Sequence, residues 1–277
     1  MRKLIRIAEL LKHEGLRRAS SEVLHWILKF RTPDRKLQRL KARLSREISA
    51  SMNSKVQAGP FQSMLFVNEG WGSPEYVGML LGSYEIEVQQ VLEYLGKSSE
   101  SFVDVGAASG YYVVGMLLKF PHIRAIAYET SKSSAAICLK NSKLNSVDDR
   151  LEIRSIFRGD LMPEISNKKG LFLFDIEGAE YNLITLDFIL EQLNSHFVVE
   201  LHGRNTVLIN DFVGKFVQTH NTKIIGRDYN KIMQNLVSLK LAQNLTFLLA
   251  SEGRDVDGSW LLACPKNAEY CECTSTS

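Results

Sequence analysis

The chain reads as an α/β protein: a mainly parallel seven-stranded sheet with helices on both faces, preceded by a helical N-terminal extension. Three observations predict this. From Ser101 onward, short apolar runs alternate with helical patterns, the texture of strands joined by covering helices. The 277 residues are 45% apolar and 23% charged, which excludes a disordered or fibrous chain and allows a sizeable core. No apolar run approaches the ~18 residues a membrane span needs. The best candidate, Leu183 to Leu201, is broken by Asp187, Glu191, Gln192, Asn194 and His196.

Residues 1–50 form a basic helical extension. Leu4, Ile5, Ala8, Leu11 and Leu16 fall near one helical face, and Val23, Leu24, Ile27 and Leu28 continue it. Pro33 and Asp34 break the pattern; Leu37, Leu40 and Leu44 resume it. This extension holds 14 Lys and Arg against 5 Asp and Glu, whereas the other 227 residues hold 20 against 26. A basic arm on an acidic body points to an anionic partner: nucleic acid, a membrane surface or the body itself. A packed extension with a solvated basic face is the plainer alternative. The start, MRKLIRIAELLKHEG, has no continuous apolar core, and four cysteines are no disulfide framework, so a cytoplasmic protein is expected. Peripheral contact with the inner membrane face fits the arm.

Residues 51–98 read as a connector and a pre-core helix. The stretch 51–75 is rich in Gly, Ser, Asn and Pro and is expected to be irregular; Glu85 to Leu95 then places Val88, Val91, Leu92 and Leu95 on one side of a helix. The α/β unit spans 99–266. Its strands are expected at 102–105, 123–128, 151–156, 171–175, 196–201, 223–226 and 259–264, with helices near 111–119, 131–144, 179–193 and 207–219. A polar tail, 267–277, closes the chain. Sheets of this kind take ligands beyond the carboxyl ends of their strands, where strand order reverses.

The first such strand end is FVDVGAASGYY, which places Asp104, Gly106 and Gly110 just before a helix. Glycines permit a tight turn and close approach of a ligand to the backbone. A dinucleotide fingerprint would need glycines at 108 and 111, which are Ala108 and Tyr111, so a nicotinamide oxidoreductase is disfavoured. Glu129 ends the second strand, 23 residues after Gly106, where a carboxylate accepts both ribose hydroxyls of an adenosine. Thr130 and Ser131 are natural caps for the helix that follows.

With these pieces the chain resembles the S-adenosylmethionine-dependent methyltransferases of the Rossmann-like fold, and within them the FkbM-like family. The resemblance rests on VDVGAASGYY (103–112), AIAYE (125–129), NSKLNSVDDRLEIRS (141–155), LFLFDIEGAE (171–180) and VVELHG (198–203). EGR (252–254), WLLACPK (260–266), GPFQSM (59–64) and LLGSYEIEV (80–88) also match, so it covers roughly 59–266. It implies S-adenosyl-L-methionine as cofactor. Gly106, Ala107, Ser109 and Gly110 would wrap its methionine portion, Asp104 its ammonium group and Glu129 its ribose. Ser155 and Ile156 would flank the adenine; ordinary strand-end packing is the alternative for these two. The implied acceptor is a hydroxyl on a sugar, glycolipid or secondary metabolite.

Asp175, Glu177 and Glu180 crowd the end of the fourth strand, an arrangement that calls for a positive neighbour: sulfonium, substrate amine or divalent metal. Asp175 and Glu177 are the functional candidates, and Glu180 is read as opening a helix, where negative charge favours the N-terminus. Glu200 and His202 end the fifth strand, and His202 is the candidate general base. No residue is assigned as a metal ligand, although a metal held by Asp175, Glu177 or Glu200 is an alternative way to acidify the hydroxyl. The other histidines receive no role, and Cys271 and Cys273 are expected to be free thiols. Two rival functions stay open: an RNA methyltransferase that grips phosphate with residues 1–50, and a non-catalytic assembly module that keeps the fold.

Overall fold

The computed structural model describes residues 43, 47, 49–68, 73–159, 165, 168–203, 205–226 and 258–267. Most of the basic extension, the EGR segment and the tail with Cys271 and Cys273 lie outside the described residues. No helix among the described residues is long and apolar enough to cross a membrane.

Seven strands form one sheet: β1 (Ser101–Val105), β2 (Arg124–Tyr128), β3 (Leu151–Arg154), β4 (Gly170–Phe174), β5 (His196–Leu201), β6 (His220–Gly226) and β7 (Ser259–Pro265). Their spatial order is β3-β2-β1-β4-β5-β7-β6. The first five run parallel, and β7 is antiparallel to both of its neighbours. The chain works outward from β1 to β3 and then crosses back to β4, so the order reverses between β1 and β4. A crevice opens there at the carboxyl ends of the strands.

The central strands are mainly apolar because both faces are covered. With a side-chain period of two, Phe102, Leu171, Leu173 and Val198 enter one core layer. Val103, Phe172, Phe174, Phe197 and Val199 enter the other, where Phe188, Phe212 and Phe216 meet them. Phe172 stacks on Phe197 with centroids 5.1 Å apart, and Phe188 meets Phe172 edge-on at 5.5 Å.

The helices are α1 (Ser73–Leu81), α2 (Ile86–Gly96), α3 (Tyr111–Lys119), α4 (Lys132–Leu144), α5 (Glu180–Leu183), α6 (Leu186–Glu191) and α7 (Thr206–Gly214). Ser131 caps α4 by accepting from the Ser134 N–H at 3.3 Å. The Arg150 guanidinium donates to the carbonyls of Leu117, Phe120 and Ile123, which fixes the exit of α3.

Four expectations need correction. The stretch expected to be irregular, 51–75, ends in the first turn of α1, whose Val77, Leu80 and Leu81 are fully buried, and Pro74 in that turn is compatible with a helix start. The helix expected over 179–193 is two helices, because Ile184 leaves helical conformation and Thr185 starts a new cap on the Phe188 N–H at 3.2 Å. The helix expected over 207–219 stops at Gly214, and β6 begins at His220. Strand β3 stops at Arg154, so Ser155 and Ile156 lie in the loop beyond it.

His220 ties β6 to the core. Its Nε2–H donates to the Ser195 carbonyl at 3.0 Å and its Nδ1 accepts from Thr219 Oγ1 at 2.7 Å. Burial pushes this imidazole down from 6.5 to about 4. The unfolded chain takes up a proton that the folded chain refuses between those values, so stability is full above pH 6.5 and falls as pH drops toward 4. In His220→Gln, the decline of the urea midpoint across this window should flatten; an unchanged slope would assign it to other groups.

Candidate active site

Strand β1 delivers the glycine loop to the crevice. The N–H groups of Gly106 and Ala107 both donate to the Tyr128 carbonyl at 3.0 Å, which docks the loop on β2. Gly106 has φ +95°, and a Cβ there would lie 1.9 Å from the Asp175 carbonyl oxygen, so any side chain would force β1 and β4 apart. Gly110, at the start of α3, has φ +86° and meets Cys138 in the same way, at 2.6 Å. Ala108 takes φ +47° without being glycine. Its N–H donates to Glu129 Oε2 at 2.8 Å, and the Ser131 N–H donates to Oε1 at 2.6 Å. Glu129 therefore fixes the loop tip and the entry to α4 together.

A cavity of about 450 Å³ lies over this loop. Gly106, Ala107, Ser109, Glu129, Ser155 and Ile156 line one side of it, as do Asp175 and Glu177. Met79, Tyr84, Tyr111 and Tyr112 also line it. Ile156 is half exposed on the rim. Gly110 shapes the loop from its end. Asp104 lies buried at 2% exposure. Its Oδ2 has no hydrogen-bond partner among the described residues. Burial first, then the neighbouring Asp175 and Glu129 carboxylates, push its carboxyl up to about 8, against a hydrogen bond from the Val113 backbone.

At the ends of β4 and β5 stands a cluster of carboxylates around one imidazole. The turn after β4 places Glu177 at φ +56° and Gly178 at φ +99°. It leaves the Glu177 side chain 91% exposed. His202 Nδ1 lies 3.0 Å from Glu180 Oε1. Its Nε2 lies 3.3 Å from Glu200, 3.6 Å from Glu177 and 3.7 Å from Asp175. The hydrogen bond that His202 donates to Glu180, with the charges of Glu180, Asp175 and Glu177, raises the His202 pKa against its partial burial. His202 thus joins Asp175 and Glu177, although it does not itself line the cavity.

Glu180 is more than the helix opener that its position in the sequence implies. It is fully buried, holds His202 through one oxygen and accepts from the Gly178 N–H at 3.0 Å through the other. Nothing in a linear reading separates it from an N-terminal carboxylate, because its partner is 22 residues away. Asn141 was also missed. Its Oδ1 accepts from the Val67 N–H, and its Nδ2 donates to the carbonyls of Val67 and Ser109, each at 2.9 Å, so it bolts the connector to the glycine loop. Tyr112 donates to Glu85 Oε2 at 2.5 Å, with Glu85 in the left-handed region at φ +41°.

No protein-family model and no curated protein matches this sequence. Among solved structures, similar folds include an S-adenosylmethionine-dependent O-methyltransferase from Thermotoga maritima, at 12% identity and TM-score 0.45, covering 68% of each chain. An O-methyltransferase from Bacillus cereus, solved with S-adenosylhomocysteine, is 12% identical with TM-score 0.42, covering 88% of this chain and 97% of its own. The geranyl diphosphate C-methyltransferase from Streptomyces coelicolor A3(2) is 14% identical with TM-score 0.42, covering 79% and 96%. Likeness of this degree transfers neither cofactor nor reaction to the present chain.

Proposed function

We propose that this protein is an S-adenosylmethionine-dependent methyltransferase of the FkbM-like kind, acting on a hydroxyl of a sugar, glycolipid or secondary metabolite. The observation that carries this reading is Asp104. A buried carboxyl with an unpartnered oxygen, beside Asp175 and next to a glycine-rich loop, calls for a cationic group in the crevice. The cofactor is a cation with an ammonium and a sulfonium. The cavity volume falls within the range of about 300–1,000 Å³ usual for small-molecule sites.

In this assignment Gly106, Ala107, Ser109 and Gly110 leave the backbone open to the methionine portion, and Asp104 takes its ammonium. Each Glu129 oxygen accepts one backbone N–H and retains a lone pair for a ribose hydroxyl. Ile156, half exposed on the rim beside Ser155, offers an apolar face to the adenine. Bound there, S-adenosylmethionine supplies a methyl group already activated by a sulfonium that leaves as a neutral thioether. What remains for the chain is to orient the hydroxyl, exclude water and remove its proton. In this reading Asp175, Glu177 and His202 are the groups that deal with that proton.

Incubation with methyl-labelled cofactor and a panel of sugars, glycolipids and polyhydroxylated metabolites tests the reaction. Label should appear on oxygen, with one S-adenosylhomocysteine formed per methyl transferred. His202→Ala should lower turnover far more than cofactor affinity; equal losses would make His202 structural. Label in RNA would favour the nucleic-acid reading, and cofactor binding without transfer to any acceptor would favour an assembly module.

A further inference from the structure

We propose that Asp175, Glu200 and His202 form a divalent-cation site at the ends of β4 and β5. Its role in catalysis rests on the methyltransferase reading; its existence does not. One ligand atom from each of the three residues lies within 4.8 Å of the others. Ligands around a divalent ion at about 2.0–2.3 Å sit roughly 3 Å apart when adjacent and somewhat over 4 Å when opposite. The separations of His202 Nε2 from Glu200, 3.3 Å, and from Asp175, 3.7 Å, need only small side-chain rotations to meet this.

The neighbouring Glu180 points the same way. It is fully buried and sits 3.0 Å from Nδ1 of His202, which sets the proton on that nitrogen and directs the Nε2 lone pair at the carboxylates. A carboxylate behind the far nitrogen is the arrangement that orients metal-binding histidines and raises their basicity.

Charge gives an independent argument. Four carboxylates surround one imidazole. Among the described residues, no Lys or Arg lies within ion-pair distance of Asp175, Glu177 or Glu180. Even fully protonated, His202 leaves Asp175, Glu177 and Glu180 short of positive charge, and a divalent cation in place of the Nε2 proton supplies it.

Three protein ligands leave open positions, and Asp175 presents them to the cavity. An acceptor hydroxyl bound at one of them is acidified by the ion. Its O–H bond breaks with the electron pair kept on oxygen, and the proton passes to the exposed Glu177 carboxylate and on to water. His202 then acts through the ion and Glu177 takes the proton. One imidazole with two carboxylates suits Mn²⁺, Fe²⁺ or Zn²⁺ better than Ca²⁺.

The test is a titration of chelator-treated full-length protein with Mn²⁺, following the electron paramagnetic resonance signal of the free ion without cofactor. One saturable site is expected. Glu200→Gln and His202→Ala should each weaken it at least tenfold, and Glu180→Gln by about tenfold through lost orientation. If the buried Glu200 variant fails to fold, the part-exposed Asp175→Asn replaces it. No saturable site, or wild-type affinity in folded variants, overturns the proposal. Cofactor binding measured separately with EDTA distinguishes the two failures. Mn²⁺ binding without S-adenosylmethionine binding would sink the methyltransferase reading alone, and the converse would sink the metal site alone.

Discussion

Binding of S-adenosylmethionine at pH 6.5 is expected to release close to one proton. In the free protein Asp104 is held protonated at that pH, since burial and the nearby Asp175 and Glu129 carboxylates push it up to about 8. A cation placed against it reverses the balance and the carboxyl ionises. Affinity should therefore rise about tenfold per pH unit between 6 and 7.5. Calorimetric heats measured in buffers of different ionisation enthalpy report the proton directly. Asp104→Asn should abolish the release and weaken binding by roughly 10–100-fold, the cost of a charged hydrogen bond.

The same residue makes an opposite statement about stability. Its folded pKa lies above its unfolded value of 3.8, so its contribution is full below that pH and is lost as pH rises toward 8. Asp104→Asn should consequently unfold at a higher temperature than the wild type at pH 8, while binding cofactor less well. Proton release that survives in the Asn variant would assign it to another group. Absence of release in the wild type would mean that Asp104 is already ionised.

Glu129→Ala is expected to lower cofactor affinity by at least about 100-fold. Hydrogen bonds to a charged group contribute about 1.5–3 kcal/mol each, and Glu129 supplies two to the protein and a pair to the ribose. The loss has two parts. The ribose acceptors disappear, and Ala108 at φ +47° loses the partner that holds its N–H. Glu129→Gln retains a carbonyl acceptor and should fall between wild type and Ala. The fold should survive both changes, because the side chain lies at a cavity edge and fills no core volume. Equal affinity in Glu129→Ala would refute the ribose role.

The sheet was legible because both of its faces are covered: apolar runs such as LFLF and HFVVEL read as strands, and they are β4 and β5. The loop was legible for a related reason. Gly106 and Gly110 hold left-handed backbone where an added Cβ would clash, and Glu129 sits at a strand end set by the βαβ geometry. What stayed hidden depends on contacts between distant residues. Helix α1 draws on buried Val77, Leu80 and Leu81, against local Gly and Pro signals. Glu180 and Asn141 carry ordinary local signatures, and only folding brings them to His202 and to Ser109. His202 was found as a strand-end histidine, but the carboxylates around its Nε2, which turn it from a lone base into part of a charged cluster, come from β5 and from the turn between β4 and α5.

The most direct test is a calorimetric titration of the purified protein with S-adenosylmethionine, run in parallel with NAD and with EDTA present. Saturable one-to-one binding of S-adenosylmethionine, with no heat from NAD, is the expected result. Saturable binding of NAD, or no binding of S-adenosylmethionine at any pH up to 8, would contradict the assignment of the cavity.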